Sequence, residues 1–154
     1  MKKYILILLS LLSCKKIDDN GFRIYTIKCG DHKSRSALKT TKTNNLQFQV
    51  IFDSTAIYET IDPANQWDVN KLYGTSDCGD RHQESSIRIG WRWLNDSLEL
   101  HWFRHDEDFE FEKIKCVELN QIIDCSIQFD NSEYIINIDD ISVTIDRPCS
   151  RSSN

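Results

Sequence analysis

The fold of this chain is indicated most clearly by residues 86–104, which read SIRIGWRWLNDSLELHWFR. Asn95-Asp96 is a natural two-residue turn between two runs of alternating apolar and polar residues. A turn there pairs residues whose numbers sum to 191 and gathers the apolar side chains on one face. The expected apolar pairs are Trp93 with Leu98, Trp91 with Leu100, and Ile89 with Trp102. A three-residue loop would mix the two faces, so we predict the two-residue register.

The other face of this hairpin is charged and is the candidate ligand face. Its candidate residues are Arg88, Arg92, Glu99, His101 and His105, with Arg92 directly opposite Glu99. Such a face is either solvated, with ion pairs across the strands, or it lines a cleft. Arg, His and Tyr on a concave sheet are also the groups with which jelly-roll polysaccharide lyases neutralise a uronate and move a proton. Binding and catalysis are therefore both open for these residues.

Strand-like alternation recurs along the rest of the chain, and no window has a sustained helical period. We predict strands at residues 22–29 and 46–52, and one helical turn at 67–72 inside the irregular stretch 62–80. With hairpins in the second half, the chain is predicted to be an all-β, antiparallel, jelly-roll-like β-sandwich of about eight strands.

The turn residues of the second half set the pairs expected there. A turn at Asn120-Gln121 pairs residues that sum to 241 and places Cys116 opposite Cys125. Directly opposite residues of a hairpin lie within the Cα separation of about 4.4–6.8 Å that a disulfide tolerates. The alternative is two unbonded thiols on an apolar face. The other expected pairs are Ile114 with Ile127, Ile136 with Val143, and Tyr134 with Ile145.

Composition excludes several classes of protein. The chain has 154 residues, of which 40% are apolar, with two prolines and five glycines, so it is long and apolar enough to fold as one domain. Its 19 basic and 24 acidic residues contain no long basic run, so no nucleic-acid partner is expected. Phosphate-loop, nucleophile-elbow, zinc and EF-hand patterns are absent from the sequence, and we predict no cofactor and no metal.

The N-terminus has the layout of a secretory signal. Lys2-Lys3 precedes an apolar run from Tyr4 to Leu12. A membrane-spanning helix needs roughly 20 apolar residues, so this run is too short to remain as one. We predict that residues 1–13 are a signal peptide.

The end of that segment, Leu11-Leu12-Ser13-Cys14, resembles the lipobox of bacterial lipoproteins. The resemblance implies that the chain is cut before Cys14 and that this cysteine is acylated, which makes the membrane a partner through the lipid. An ordinary secretory signal with a chance cysteine is the alternative. Lys15 resembles the residue that follows the cysteine in lipoproteins sorted to the outer membrane, on its periplasmic or its cell-surface face. The predicted organisation is then signal peptide 1–13, tether 14–21, β-sandwich domain 22–147 and polar tail 148–154.

The residues before and within the central hairpin resemble the signature of a family of small Bacteroidota-type surface or periplasmic lipoproteins. The matching segments are Phe52-Asp53-Ser54-Thr55-Ala56-Ile57-Tyr58, Gly74-Thr75-Ser76-Asp77-Cys78, His82-Gln83 and Ser86-Ile87-Arg88-Ile89-Gly90-Trp91-Arg92-Trp93. The resemblance covers residues 22–147 and brings no established activity with it. Phe103 and His105 stand where tyrosines are common, which weakens the case for tyrosine-based chemistry. Such lipoproteins also carry one more strand after the Arg-Pro pair, so the sandwich is expected to lack a final strand.

Two functions follow from these features. The first is an outer-membrane lipoprotein whose β-sandwich is a binding or accessory module, for a glycan or for an envelope partner. The alternative is a small carbohydrate-active enzyme, a polysaccharide lyase or hydrolase, that uses the Arg/His face. A groove lined by that face would favour a ligand, and a flat face would favour simple solvation.

Overall fold

The computed structural model describes residues 17–28, 43–106 and 108–148, which fall into two separate units. In the first unit, residues 17–28 contain a turn closed by a single bridge between Ile17 and Arg23. The Asp18 carboxylate accepts hydrogen bonds from the backbone N–H groups of Asn20 and Phe22. The predicted strand at 22–29 is wrong over residues 24–28, which pair with no strand. The predicted signal peptide, Cys14, Cys29 and Cys149 lie outside the described residues.

The second unit is a β-sandwich of two four-stranded antiparallel sheets, which confirms the predicted fold class. Its strands are β1 (Asn45–Val50), β2 (Asn70–Ser76), β3 (Ser86–Leu94), β4 (Ser97–His105), β5 (Phe109–Val117), β6 (Ile123–Phe129), β7 (Glu133–Ile138) and β8 (Ile141–Asp146). One sheet has the order β1-β6-β7-β8 and the other β2-β3-β4-β5. Strands that are consecutive in the chain are mostly neighbours, so the connectivity is a meander, and the predicted jelly-roll likeness is wrong in this respect.

The predicted register of the central hairpin is confirmed. Asn95 and Asp96 have φ angles of 51° and 57°, the left-handed values that a two-residue type I′ turn requires. Arg92 lies opposite Glu99, as expected from this turn. The remaining confirmed pairs are Trp93 with Leu98, Trp91 with Leu100, Ile89 with Trp102, Ile136 with Val143, and Tyr134 with Ile145.

The predicted hairpin between β5 and β6 is wrong, because the two strands belong to different sheets. The Asn120 N–H donates to the Phe52 carbonyl oxygen at 2.7 Å, at the point where the chain passes from one sheet to the other. Cys116 is exposed and pairs with Glu99, whereas Cys125 is buried opposite Phe48 of β1. The predicted disulfide between them is therefore wrong and both are free thiols. Burial raises the pKa of the Cys125 thiol to about 12, so it packs as an uncharged side chain.

Strand β2 was not expected from the sequence, which predicted a helical turn at 67–72. The turn occurs earlier, as a short 3₁₀ helix at Pro63–Trp67, and a second short one spans Ser54–Ala56. A Cβ atom at Gly74 would collide with the carbonyl oxygen of Ile87 and the Cα of Arg88, so β2 can approach β3 only with glycine there.

The core lies between the two sheets and consists of alternate side chains from both. Its most buried members are Ile87, Ile89, Leu98, Leu100, Ile123, Ile127, Tyr134, Ile136 and Ile138. Each such aliphatic side chain contributes roughly 1.5–3 kcal/mol through removal of apolar surface from water. Because these inward positions alternate with outward ones, the core also fixes which side chains of β3 and β4 point away from it.

Candidate functional site

The candidate site is the solvent-facing side of the sheet β2-β3-β4-β5, which we term the outer face. Side chains that are directly opposite in neighbouring antiparallel strands lie on the same side of the sheet. The outer face therefore holds four rows, read from β2 or β3 towards β5: Arg92, Glu99 and Cys116; Lys71, Gly90, His101 and Lys113; Gly74, Arg88, Phe103 and Phe111; Ser76, Ser86, His105 and Phe109.

All five candidate residues predicted from the sequence lie on the outer face, but only three of them are in contact. Arg92, Glu99 and His101 form one polar cluster. Arg88 lies one row away, opposite Phe103, and His105 lies in the last row opposite Ser86.

Glu99 is the centre of the polar cluster. Its Oε2 accepts from the Arg92 Nε at 2.7 Å and lies 3.2 Å from the His101 Nε2, while its Oε1 accepts from the Lys113 Nζ at 3.3 Å. Burial alone would raise the pKa of Glu99, but the hydrogen bonds and charge of Arg92, together with His101 and Lys113, outweigh it and lower the pKa. Glu99 is therefore an ionised carboxylate at neutral pH.

His101 is only 1% exposed, and its contact with Glu99 determines which ring nitrogen carries the proton. Burial lowers the pKa of His101 more than its hydrogen bond to Glu99 raises it, so the ring is neutral at neutral pH. An ionised carboxylate can only accept, so the single ring proton sits on Nε2 and leaves Nδ1 as an acceptor. That Nδ1 is buried without a partner, as is the Nδ1 of His105. His101 thus orients Glu99 from below the accessible surface.

Lys71 and Arg88 form a second cluster on the outer face, around the buried ring of Phe103. The Lys71 Nζ lies 4.7 Å from the centroid of that ring. Arg88 is directly opposite Phe103, and its Nη2 donates to the His82 carbonyl oxygen at 3.0 Å. Burial and then the charge of Arg88 lower the pKa of Lys71, and burial lowers the pKa of Arg88. The charge of Asp68 opposes the shift of Lys71 without offsetting it.

Three phenylalanine rings continue the outer face towards β5. Phe103, Phe109 and Phe111 have ring planes within 6° of parallel and centroids 5.9–6.4 Å apart. Phe103 is buried, but Phe109 is 61% exposed and Phe111 38% exposed. Two large aromatic rings therefore face solvent beside the charged clusters.

Of the four tryptophans, one contacts the outer face: the Arg92 guanidinium lies 5.8 Å from the centroid of the Trp67 ring. Trp91, Trp93 and Trp102 pack against the core, as their register predicts. Trp67 is exposed near the end of the face, where its carbonyl oxygen accepts from the Arg92 Nη1 at 2.8 Å. This bond gives Arg92 a second anchor besides Glu99.

Sequence reasoning missed Lys71, Lys113, Phe109 and Phe111 as members of this face. Each sits beyond an irregularity in strand register, between Lys71 and Tyr73 or beside Leu100/His101. The alternation Phe109-x-Phe111-x-Lys113 was a usable signal for β5, but it does not reveal which strand β5 joins. The signal for Lys71 was weaker, because β2 was not recognised as a strand.

Two residues of the outer face, Glu99 and His101, are the groups to consider for proton transfer. Most glycoside hydrolases use a pair of carboxyl groups, and Glu99 is the one carboxylate among the strand residues of this face. Its lowered pKa disfavours a role as general acid. His101 has a free acceptor, but its burial keeps a substrate proton beyond hydrogen-bond reach.

The opposite sheet offers a different surface. A shallow depression of about 450 Å³ there is lined by Gln47, Phe48, Gln49, Asp124, Cys125, Ser126, Asn137 and Asp139. Its polar groups are amides, a hydroxyl and two carboxylates, and Gln49 already donates to Asp124 at 2.8 Å. An anionic ligand would be repelled here, so the two faces of the sandwich differ in the charge they can accept.

No protein-family model, curated protein or solved structure matches this chain. Within the described residues, no group of three or more His, Cys, Asp or Glu side chains is arranged to hold a metal ion. In the same parts of the chain, none of the helices has the length and apolar character needed to cross a bilayer. The function is therefore inferred from the residues of the outer face.

Proposed function

We propose that this protein is a lipid-anchored binding module of the outer membrane and that its outer face binds a glycan. The observation that carries the proposal is the exposure of Phe109 and Phe111 beside polar side chains that ion pairs hold in place. Sugars present apolar C–H faces and many hydroxyl groups, so a site for them combines aromatic rings with fixed hydrogen-bonding groups. Lys113, one row from Phe111, supplies such a group, and Arg92 and Glu99 lie in the row beyond it.

The binding role is better supported than the enzymatic alternative. A lyase needs an accessible base next to the group that neutralises the uronate, and His101 is buried. Glu99 is surrounded by three positive or proton-donating partners, which stabilise its charge and its position. The burial of His101 and the fixed charge of Glu99 are typical of a rigid binding surface.

The proposed anchor is Cys14, on the strength of the lipobox pattern that ends at this residue. Membership of the Bacteroidota-type lipoprotein family remains part of this proposal. Residues 88–93, which carry part of the resemblance, make contacts on both sides of the sheet: Val69 packs over Gly90, Trp91 contacts Phe52, and Arg92 binds Glu99. The same short block therefore helps to build both the core and the outer face.

The double substitution Phe109→Ala/Phe111→Ala is expected to weaken glycan binding by about tenfold or more, because each exposed ring contributes roughly 0.5–1.5 kcal/mol of contact. The measurement is biolayer interferometry of the full chain in detergent against a panel of neutral and acidic polysaccharides. The matched control is Ile61→Ala, which removes an apolar side chain that is 99% exposed and lies in a loop outside the strands. This variant should bind like the wild type.

The panel has four informative outcomes. Binding that the double substitution removes and Ile61→Ala preserves supports the proposal. Binding that survives the double substitution would place the glycan elsewhere, and no binding to any polysaccharide would contradict the function itself. Release of unsaturated uronate products during incubation would favour the lyase instead.

A further inference from the structure

Two positive side chains on the outer face form no ion pair with a carboxylate of the described residues. Strands β2 to β5 carry six Lys and Arg side chains, and four of them, Arg92, Arg104, Lys113 and Lys115, form ion pairs. Within the described residues, the other two, Lys71 and Arg88, lie outside salt-bridge distance of any Asp or Glu. In a chain whose net charge is −5, acidic partners are plentiful, so these two cations stand out.

Lys71 and Arg88 are also close to each other. Both flank the ring of Phe103, one above it and the other beside it in the strand register. Like charges repel each other, and burial and the charge of Arg88 lower the pKa of Lys71 by more than the charge of Asp68 raises it. An anion that bound between them would relieve this repulsion, so we expect the pair to attract a negatively charged ligand.

Both side chains retain hydrogen-bond donors, and Arg88 is half-buried. Lys71 is exposed, and Arg88 spends one hydrogen bond on the His82 carbonyl oxygen. A guanidinium has five N–H donors in a planar fork, so Arg88 retains donors for a carboxylate or a sulfate. Phe111 lies next to Phe103 in the same row, with its centroid 6.1 Å away, and offers a ring for stacking beside the anion.

We propose that the glycan bound by the outer face is acidic and that Lys71 and Arg88 bind its anionic group while Phe111 and Phe109 contact the sugar ring. This inference rests on the proposed glycan-binding function and adds the charge of the ligand. The shared chemistry is an anionic substituent on a sugar, which is either a uronate carboxylate or a sulfate ester. The acidic depression on the opposite sheet provides no such site.

The test compares matched polysaccharides that differ in charge. Polygalacturonate is set against its methyl ester, and dextran sulfate against dextran, each titrated with the full chain in detergent. We expect the charged member of at least one pair to bind at least about tenfold more tightly than its neutral partner, and the pair that does so distinguishes carboxylate from sulfate. The preference should weaken as salt is added, because exposed charges are screened.

Variants locate the effect. Lys71→Gln and Arg88→Gln are each expected to reduce the preference for the charged polymer by about tenfold. Lys115→Gln removes the same charge from the same sheet, where the lysine already pairs with Asp139 and Asp140, and should leave the preference within about twofold. Lys71 is the decisive position, because its exposed side chain can be changed without disturbing the sheet.

The outcomes separate this inference from the function on which it rests. Equal binding of the charged and neutral polymers would overturn the anion site and leave glycan binding intact. A preference for charge that Lys71→Gln does not reduce would also overturn it. Binding of no polymer at all would overturn the proposed function and the anion site with it.

Discussion

Replacing Asp77 with Ala is expected to destabilise the sandwich by about 3–5 kcal/mol, the usual cost of removing one partner from a largely buried ion pair. The Asp77 carboxylate accepts from the Arg147 Nε at 2.6 Å and Nη2 at 2.9 Å, and from the Tyr134 hydroxyl at 2.8 Å. It thereby ties the β2–β3 loop to the other sheet. Without it, the fully buried Tyr134 loses its hydroxyl partner and Arg147 keeps an uncompensated charge.

Urea unfolding of Asp77→Ala, followed by circular dichroism, measures this effect. Glu110→Ala is the control, because it removes a carboxylate that pairs with Arg104 at 2.6 Å but is itself 59% exposed. That change should cost less than about 1 kcal/mol. Equal, small losses in the two variants would show that the Asp77 cluster does not hold the sheets together.

The same carboxylate gives stability a defined pH dependence. Burial alone would raise the pKa of Asp77, but the bonds from Arg147, the Cys78 N–H and Tyr134 outweigh it, so the folded pKa lies below the ordinary 3.8. A lowered folded pKa means that the contribution is present above pH 3.8 and is lost as pH falls through the folded value. The wild type should therefore lose stability below this pH more steeply than Asp77→Ala does.

Loss of Cys14 is expected to move the protein from the membrane to the soluble fraction. Removal of residues 1–13 takes away two lysines and no acidic residue, which leaves 17 basic and 24 acidic residues and a net charge of −7. Anionic headgroups repel such a chain, so its attachment depends on acyl groups, at about 0.8 kcal/mol per buried CH₂. In the variant, Cys14 is replaced by Ala and residues 1–13 are replaced by an ordinary cleavable secretory signal. The signal is then removed, so that an uncut leader cannot hold the protein on the membrane.

Fractionation and intact mass together decide this prediction. The wild type should pellet with membranes and weigh more than residues 14–154 by the mass of its acyl chains. Cys116→Ala, which removes an exposed cysteine of β5, should pellet like the wild type. An unmodified Cys14, or a mature N-terminus at another residue, would contradict the anchor.

Local pairing could be predicted from this sequence, and distant pairing could not. The turn at Asn95-Asp96 brings its own flanking residues together, and alternation then leaves only one register that buries the tryptophans. The same logic fails at Asn120, where the chain changes sheet instead of folding back. The residues of β1 and β6 do not by themselves predict that the two strands pair, because the two segments are far apart along the chain.

The candidate site shows the same division. One hairpin contains Arg88, Arg92, Glu99 and His101, so its turn predicts that they share a face. Lys71 enters the site from an edge strand that was not recognised and that pairs through an irregular register. The contact between Asp77 and Arg147 spans 70 positions, and neither residue type predicts the other.

Chemical-shift mapping shows directly whether a glycan binds the outer face of the sheet β2-β3-β4-β5. ¹⁵N-labelled protein is titrated with short oligosaccharides of the polysaccharide that binds best, and backbone amide shifts are assigned. We expect the shifts to concentrate in Lys71, Arg88, Phe103, Phe109 and Phe111 and in their neighbours in these rows. Shifts confined to the depression around Gln49 and Asn137 on the opposite sheet would contradict it.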